Sequence, residues 1–223
     1  MRRFAPRLLI GATLGLGALI GIGACDSKRN SITGPSGGDA SRIVVLGDSL
    51  ALSPSASEAF PAILQARIDD MDADRVIVNR SVSGDTTAAG LARLGAILED
   101  PPGILILELG ANDGLQGLSI SSIRENLDDI IVRAKGEGVR VLLCGMETPP
   151  LHGIQYSFDF HEIYPSLAAE HDIPLVPFLL AGVIGNPSMN LPDGIHPNAT
   201  GARRIADNVW AQLLGLLQQP QRP

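Results

Sequence analysis

Short apolar runs alternate with longer segments of helical period from Arg42 onward. Most of the runs are continuously apolar, which is typical of strands covered on both faces of a sheet. The runs predict five strands, at 43–46, 75–79, 104–109, 139–143 and 175–177. Because strands that alternate with helices form parallel sheets with helices on both faces, the pattern favours an α/β fold.

Five helices are predicted from apolar residues spaced three or four positions apart. Their bounds are 58–70, 87–99, 122–136, 158–170 and 202–217. The third opens with Ser122 and Glu125, the spacing of a capping box, in which the two side chains satisfy free backbone amides reciprocally. The chain shows no internal repeat. We therefore predict one three-layer α/β/α domain with a five-stranded parallel sheet.

The first 24 residues have the character of a targeting segment. Basic residues come first, an uncharged apolar run follows over 8–24, and small residues stand directly before Cys25. The run is at the short edge of what spans a membrane. Residues 22–25, Ile-Gly-Ala-Cys, resemble the lipobox of a bacterial lipoprotein, whose cysteine thiol is acylated. A plain membrane anchor and a cleaved secretory signal with an incidental cysteine are the alternatives.

Residues 25–41 are dominated by Ser, Gly, Asp and Pro without apolar periodicity, which predicts a flexible tether. The folded domain then occupies 42–218, and 219–223 form a tail. We expect a monomer that a lipid on Cys25 holds to the cell envelope of a bacterium, facing the periplasm or the exterior. Secretion, or anchoring by an N-terminal membrane segment, is the alternative location.

Charge and cysteine content exclude several classes of protein. The 223 residues include 17 Lys+Arg and 24 Asp+Glu, a formal net charge of −7. No nucleic-acid partner is expected, because phosphate contacts need clustered cations. Two cysteines, Cys25 and Cys144, are too few for a disulfide scaffold or a Cys-rich zinc site. Cys144 stands in an apolar run and is expected to be a buried small hydrophobe.

Small polar loops follow the first three predicted strands. They read Gly47-Asp48-Ser49, Ser83-Gly84-Asp85 and Gly110-Ala111-Asn112-Asp113. Ligands of open α/β sheets bind outside the carboxyl ends of the strands. Since all three loops fall at that end, they predict the position of the functional site.

Ser49 and two residues near the C-terminus have the chemistry of nucleophilic catalysis. A serine nucleophile needs a base, and the base needs an orienting carboxylate. Asp193 and His196 supply both within one turn of chain, so that Nδ1–H can face Asp193 while Nε2 faces Ser49. Ser49 alone equally suits a helix N-cap, and the Asp-His pair alone suits a surface loop. A metal pair is poorly supported, because no further ligands of suitable spacing stand nearby.

Gly84 and Asn112 would complete an oxyanion hole. The N–H groups of Ser49 and Gly84 and the Asn112 amide make three donors for a tetrahedral intermediate. Each residue is otherwise an ordinary turn former.

Three acidic residues near these loops are assigned structural roles. Asp48 and Asp113 are interpreted as hydrogen-bond acceptors that brace the loops. Glu108 interrupts the third apolar run, and a buried carboxylate needs a partner, for which Arg80 or Arg93 are the candidates.

The four motifs together resemble the GDSL family, or SGNH hydrolase superfamily, most closely its branch of bacterial arylesterases, thioesterases and lysophospholipases. The matching stretches are IVVLGDSL, VSGDTTAAGLARL, ILELGANDGLQGL and LPDGIHPNATG. The likeness covers roughly 42–217 and implies the flavodoxin-like fold of that family. It maps the family's nucleophile onto Ser49, its oxyanion donors onto Gly84 and Asn112, and its carboxylate and base onto Asp193 and His196.

The resemblance implies a serine esterase that cleaves carboxylic esters or thioesters through an acyl-enzyme, acts on small ester, thioester or lipid substrates, and needs no metal or organic cofactor. One departure is the stretch ALSPSASEAF after GDSL, where the branch often carries a glycine-rich loop with a tyrosine. Substrate preference is therefore not carried over. The rival functions are a carbohydrate O-deacetylase with the same residues and a non-catalytic lipoprotein that binds a ligand on this fold.

Overall fold

A computed structural model describes residues 39–71 and 73–219 of the chain. The predicted targeting segment, Cys25, the tether as far as residue 38 and the end of the tail lie outside the described residues. Within the described ranges, no helix combines the length and the apolar character that crossing a membrane requires.

The core of the domain is a five-stranded sheet, as predicted. Its strands are β1 (Asp39–Gly47), β2 (Val76–Asn79), β3 (Pro102–Glu108), β4 (Arg140–Cys144) and β5 (Leu175–Val176). Their order is β2-β1-β3-β4-β5, and every neighbouring pair is parallel. The strand β1 begins three residues before the predicted domain boundary, because Asp39 already pairs with the start of β3 across a register irregularity.

Six helices cover the sheet in the described residues. They are α1 (Phe60–Asp69), α2 (Thr87–Leu98), α3 (Ala111–Gln116), α4 (Ile120–Gly136), α5 (Ile154–His171) and α6 (Ala199–Gln218). The helix α1 packs against α6, while α4 packs between α2 and α5. The three-layer α/β/α prediction is therefore confirmed.

Four of the five predicted helices begin at a different residue: α1 begins two residues later, and α4, α5 and α6 begin two to four residues earlier. The helix α4 begins at Ile120, so Ser122 lies inside the first turn instead of capping it. The backbone N–H of Ile123 already donates to the carbonyl of Ser119, which closes a helical turn ahead of the predicted capping box. The helix α5 begins at Ile154, one turn before the predicted start at residue 158.

The strand order places the polar loops side by side. The chain leaves β1 for β2 on one side and returns to β3 on the other, so the carboxyl end of β1 is a topological switch point, where open α/β sheets hold their ligands. The strand β3 is buried along its whole length, and Ile43–Leu46 of β1 are equally inaccessible. Burial on both faces holds the ends of these strands firmly in place.

Candidate active site

Ser49 begins a short 3₁₀ turn directly after β1. The side chain of Asp48 caps that turn by accepting the N–H of Leu50 at 2.9 Å, so Ser49 is not the helix cap. Its hydroxyl instead lies 2.9 Å from Nε2 of His196, which is 147 positions away in the chain. The structure thus places the predicted nucleophile and the predicted base within hydrogen-bonding distance.

Asp193 and His196 lie on the loop that leads into α6. The Nδ1 atom of His196 is 2.8 Å from Oδ2 of Asp193, while Oδ1 of Asp193 accepts the backbone N–H groups of Ile195 and His196, each at 2.9 Å. Asn198 then caps α6 by accepting from the N–H groups of Thr200 and Gly201. The carboxylate therefore holds both the imidazole ring and the backbone of its own loop.

The hydrogen bonds to Asp193 control its ionisation. The N–H of Ile195 and then the ring and N–H of His196 lower the pKa of Asp193 to about 2, because each of them stabilises the carboxylate. Asp193 is therefore negatively charged throughout the neutral range and presents an anion to the His196 ring.

The predicted oxyanion donors lie on the loops that follow the two strands flanking β1. Gly84 has a φ of +83°, in the region that favours glycine, and a Cβ there would have no atom within 4 Å. Asn112 lies in the first turn of α3, a helix that the sequence did not predict. Its Nδ2 atom donates to Oδ2 of Asp48 at 3.0 Å and to the carbonyl of Asp85 at 2.9 Å. The Asn112 amide is thus held by two internal acceptors.

The predicted arginine partners of Glu108 are wrong. Arg93 forms a 2.6 Å ion pair with Asp85 instead, and Glu108 accepts the backbone N–H of Asp48 at 3.1 Å through Oε2. The reason is register, since Gly47 of β1 pairs with Glu108 of β3 and the carboxyl lies under the start of the Ser49 turn.

The bracing roles predicted for Asp48 and Asp113 agree with their contacts. Asp113 accepts the N–H of Thr87 at 2.9 Å and its hydroxyl at 2.6 Å, which ties α3 to the first turn of α2. Asp48 links the Ser49 turn to Asn112. Asp48 thus connects the loops after the neighbouring strands β1 and β3. Asp113 connects the loops after β3 and β2, which lie on either side of β1.

An aromatic ladder formed by α5 and the short turn before it (Pro150–His152) supports α3 from behind. His152, Tyr156, Phe160 and Tyr164 follow one another at four-residue spacing, with ring centroids 5.4 to 6.3 Å apart. Nε2 of His152 lies 3.0 Å from the carbonyl of Leu115, and Tyr164 donates to the carbonyl of Leu109 at 3.1 Å. Sequence reasoning missed this support, although the four-residue spacing was a visible signal.

One set of metal-ligand side chains occurs in the part of the chain that the structure describes, where α4 packs on α5. Asp128, Glu170 and His171 each offer a ligand atom within 4.8 Å of the others. His171 lies 2.6 Å from Asp128, and Glu170 forms an ion pair with Arg124. Each of the three side chains therefore already has a charged or hydrogen-bonding partner in the protein. The set contains none of the residues predicted for the site.

Comparisons with known proteins agree with this architecture. The sequence profile of the GDSL-like Lipase/Acylhydrolase family matches residues 45–204. Esterase TesA of Pseudomonas aeruginosa is 42% identical over 181 residues, which are 80% of this chain and 90% of that protein. Thioesterase 1/protease 1/lysophospholipase L1 of Escherichia coli strain K12 is 39% identical over 181 residues, which are 80% and 86% of the two chains.

A solved structure extends the likeness to three dimensions. The psychrotrophic esterase EstA from Pseudoalteromonas sp., solved in a form inhibited by monoethylphosphonate, superposes with a TM-score of 0.76. The match covers 80% of this chain and 100% of that chain at 28% identity.

The fold and these relatives together define an ester hydrolase of the SGNH type. The chain belongs to the GDSL-like lipase/acylhydrolase family, whose profile covers well over half of its length.

Proposed function

We propose that this protein hydrolyses carboxylic esters or thioesters through an acyl-enzyme on Ser49. The Ser49 hydroxyl oxygen bonds to the carbonyl carbon, and Nε2 of His196 takes the hydroxyl proton. As the tetrahedral intermediate collapses, the bond to the alcohol or thiol breaks and His196 returns the proton to that leaving group. Water then repeats the sequence on the acyl-enzyme, which releases the acid and restores Ser49.

The observation that carries this proposal is the continuous contact from Ser49 to Asp193. The hydroxyl of Ser49 lies 2.9 Å from His196, and the opposite ring nitrogen of His196 lies 2.8 Å from Asp193. The anionic Asp193 favours the tautomer whose Nδ1 carries the hydrogen, which leaves Nε2 free to accept the serine proton.

Exposed apolar residues support an acyl chain, as opposed to a sugar, as the substrate group. An apolar rim borders the helix that carries Asn112, and its members are Leu115, Leu118, Leu151, Ile154 and Phe158, between 36% and 67% exposed. Tyr156 joins its two halves by donating to the carbonyl of Leu118 at 2.8 Å. Large apolar side chains left exposed close to a candidate site are available to contact an apolar substrate group. The curated relatives named thioesterase, lysophospholipase and arylesterase fit such a substrate.

The proposal includes the cellular setting predicted from the sequence. The hydrolase acts as a monomer held to a bacterial membrane by a lipid on Cys25, at the periplasmic or outer face. The lipobox-like stretch directly before Cys25 is the support for this part.

A fluorophosphonate probe tests the activated serine. Purified full-length protein is expected to be labelled at Ser49, because the probe phosphonylates a serine, with loss of fluoride, only when a neighbouring base activates it. Ser49→Ala should abolish both labelling and ester hydrolysis, whereas Ser57→Ala, at an exposed position further along the same loop, serves as the control. Labelling that persists in Ser49→Ala would contradict the proposal.

An acyl-length series separates the esterase from the rival deacetylase. We expect kcat/KM on p-nitrophenyl esters to rise with chain length above acetate by up to about fourfold for each methylene that becomes buried. Lysophospholipid should be hydrolysed and acetylated xylan should not. A preference for acetate together with xylan deacetylation would instead support the carbohydrate O-deacetylase.

A further inference from the structure

Two carboxyl groups, those of Asp48 and Glu108, lie buried behind the Ser49 turn. Both side chains are inaccessible to solvent. Oε2 of Glu108 accepts the backbone N–H of Asp48 at 3.1 Å. Oε1 of Glu108 has no hydrogen-bond partner in the described part of the chain. A fully ionised carboxylate in this position would leave one charged oxygen without a donor, which is costly in a buried site.

The backbone is shaped to admit this carboxyl. A Cβ at Gly47 would collide with Oε2 of Glu108 and come within 2.9 Å of the Ser81 hydroxyl. Glycine at this position of the GDSL motif therefore makes room for Glu108 beneath the nucleophile turn.

Asp48 in turn contacts Asn112, a residue of the predicted oxyanion hole. Its Oδ1 atom accepts the N–H of Leu50 at 2.9 Å, and its Oδ2 atom accepts from Nδ2 of Asn112 at 3.0 Å. A chain of contacts thus runs from Glu108 through Asp48 to Asn112.

Burial and the neighbouring charge of Asp48 favour the protonated form of Glu108. Burial, and then the charge of Asp48 and a hydrogen bond between the two carboxyl groups, raise the pKa of Glu108 well above its ordinary value. The pKa of Asp48 is raised to about 6, mainly by burial and to a smaller extent by the charge of Asp113. The N–H of Leu50, the charge of His196 and the amide of Asn112 act in the opposite direction, because each lowers this pKa. Tyr164 and Cys144 are the other titratable groups whose pKa values Glu108 affects. Near neutral pH the pair is therefore one neutral acid and one carboxylate.

We propose that Glu108 is a positioning residue for the reaction: as a neutral acid it holds the backbone and the carboxylate of Asp48, and Asp48 in turn holds the amide of Asn112 toward the oxyanion. This inference rests on the proposed function, since it assigns a role in transition-state stabilisation. It gives Glu108 no contact with substrate.

The test compares two variants of similar side-chain length. Glu108→Gln keeps an acceptor for the Asp48 N–H and an uncharged donor toward the Asp48 carboxylate, so it should retain at least about one third of the wild-type kcat. Glu108→Met fills similar space without hydrogen bonds and should lower kcat at least about tenfold, with KM changed by less than about threefold. Leu107→Ala, also in β3, controls for simple destabilisation and should leave kcat near the wild-type value well below its melting temperature.

The pH dependence of stability tests whether Glu108 carries the proton. A group whose pKa is raised by folding keeps a proton that the unfolded chain loses, so its contribution to stability falls as pH rises from about 4.5. Glutamine does not titrate. The melting temperature of Glu108→Gln should therefore rise relative to wild type between about pH 5 and 8. Asp48 titrates in both proteins, so its own slope largely cancels.

Three results would overturn the positioning role. They are a folded Glu108→Met enzyme with kcat within about threefold of wild type, a Glu108→Gln enzyme as slow as Glu108→Met, and a melting-temperature difference that stays constant with pH. If Glu108→Met does not fold, Glu108→Gln decides the matter through its kcat and its pH slope. Ser49→Ala assayed alongside keeps the two ideas apart, since an active Ser49→Ala enzyme contradicts the proposed function itself.

Discussion

At the scale of single residues, both amide hydrogens of Asn112 are engaged, one with the Asp48 carboxylate and one with the Asp85 carbonyl. To meet an oxyanion, the amide must share or exchange one of these acceptors. The developing negative charge on the substrate is a strong competitor, whereas a bound neutral ester is not. The contacts therefore favour a contribution of Asn112 that appears mainly in the transition state.

Asn112→Ala should lower kcat by about 10²–10³, with KM little changed, because one donor to the oxyanion is lost. It should also destabilise the fold by about 1–3 kcal/mol, since buried Asp48 loses a donor. Asn112→Asp should be worse, because a carboxylate repels both the oxyanion and Asp48. Steady-state kinetics with thermal melts measure both effects.

Asn126→Ala is the matched control for Asn112→Ala. Asn126 lies on α4, and its side-chain amide donates to the Thr87 hydroxyl at 3.1 Å. The loss of this hydrogen bond should reduce stability without a selective loss of kcat. A folded Asn112→Ala enzyme within about threefold of wild type would remove Asn112 from the oxyanion hole.

The pH profile should distinguish the roles of Asp193 and His196. The rate is expected to fall on the acid side because a protonated imidazole cannot accept the serine proton. Asp193, with its pKa lowered to about 2, stays ionised across that limb and does not cause it. Asp193→Asn should lower kcat by about 10² or more and move the limb to lower pH, because the imidazolium loses its anionic partner.

Profiles of kcat/KM from about pH 4 to 9 measure the position of this limb. Asp207→Asn, which removes one exposed charge from α6, is the control for net charge and should leave the limb in place. A limb that stays fixed in Asp193→Asn would contradict the pairing of Asp193 with His196.

At the scale of elements, the short helix α3 depends on α5 for its position. A helix of six residues is not stable alone, and Gly110, its N-cap, has a φ of +117°. A Cβ at Gly110 would collide with the hydroxyl of Tyr164, the last member of the aromatic ladder. The close approach of α5 to this turn is therefore what holds the helix that carries Asn112.

Gly110→Ala should destabilise the protein by at least about 2 kcal/mol and lower kcat, because the backbone is strained and Tyr164 must move. Combining it with Tyr164→Phe removes the colliding hydroxyl and should recover part of the stability. Gly215→Ala, at an uncrowded position inside α6, is the control and should add about 0.5–1 kcal/mol. Thermal unfolding of the wild type, of Gly110→Ala and Tyr164→Phe alone, and of the double variant measures the coupling, and additive single effects would contradict the contact.

At the scale of the whole molecule, the arrangement of the strands joins residues from both ends of the chain. Ser49 follows β1, Asn112 follows β3, and His196 comes after β5, yet all three residues lie at the carboxyl end of the parallel sheet. The proposed lipid on Cys25 would keep the domain at a membrane, where lipid substrates are concentrated.

Cys25→Ser should abolish the incorporation of radiolabelled palmitate and release the protein from the membrane fraction or leave it unprocessed. The reason is that a hydroxyl does not replace the thiol as the acceptor of the lipid. Cys144→Ser should leave the labelling unchanged, because that thiol is buried in the core. Unchanged palmitate incorporation in Cys25→Ser would contradict the lipoprotein proposal.

Much of this architecture was determined by the sequence alone. Continuous apolar runs between helical segments predicted all five strands, and the three-residue spacing of Asp193 and His196 predicted their pairing in one loop. These features are local, because periodicity and short spacings depend on neighbours along the chain. The contact between Ser49 and His196 was foreseen from the family motifs, although 147 positions separate the two residues.

Tertiary structure alone decided the partner of Glu108, the helix around Asn112 and its support by Tyr164. The register of β1 against β3 places Glu108 under Gly47 and next to Asp48, where the sequence suggested an arginine. The hydrogen bond from Tyr164 to Leu109 likewise joins elements 55 positions apart. The partner of a buried polar group is set by strand order and packing, which periodicity does not encode.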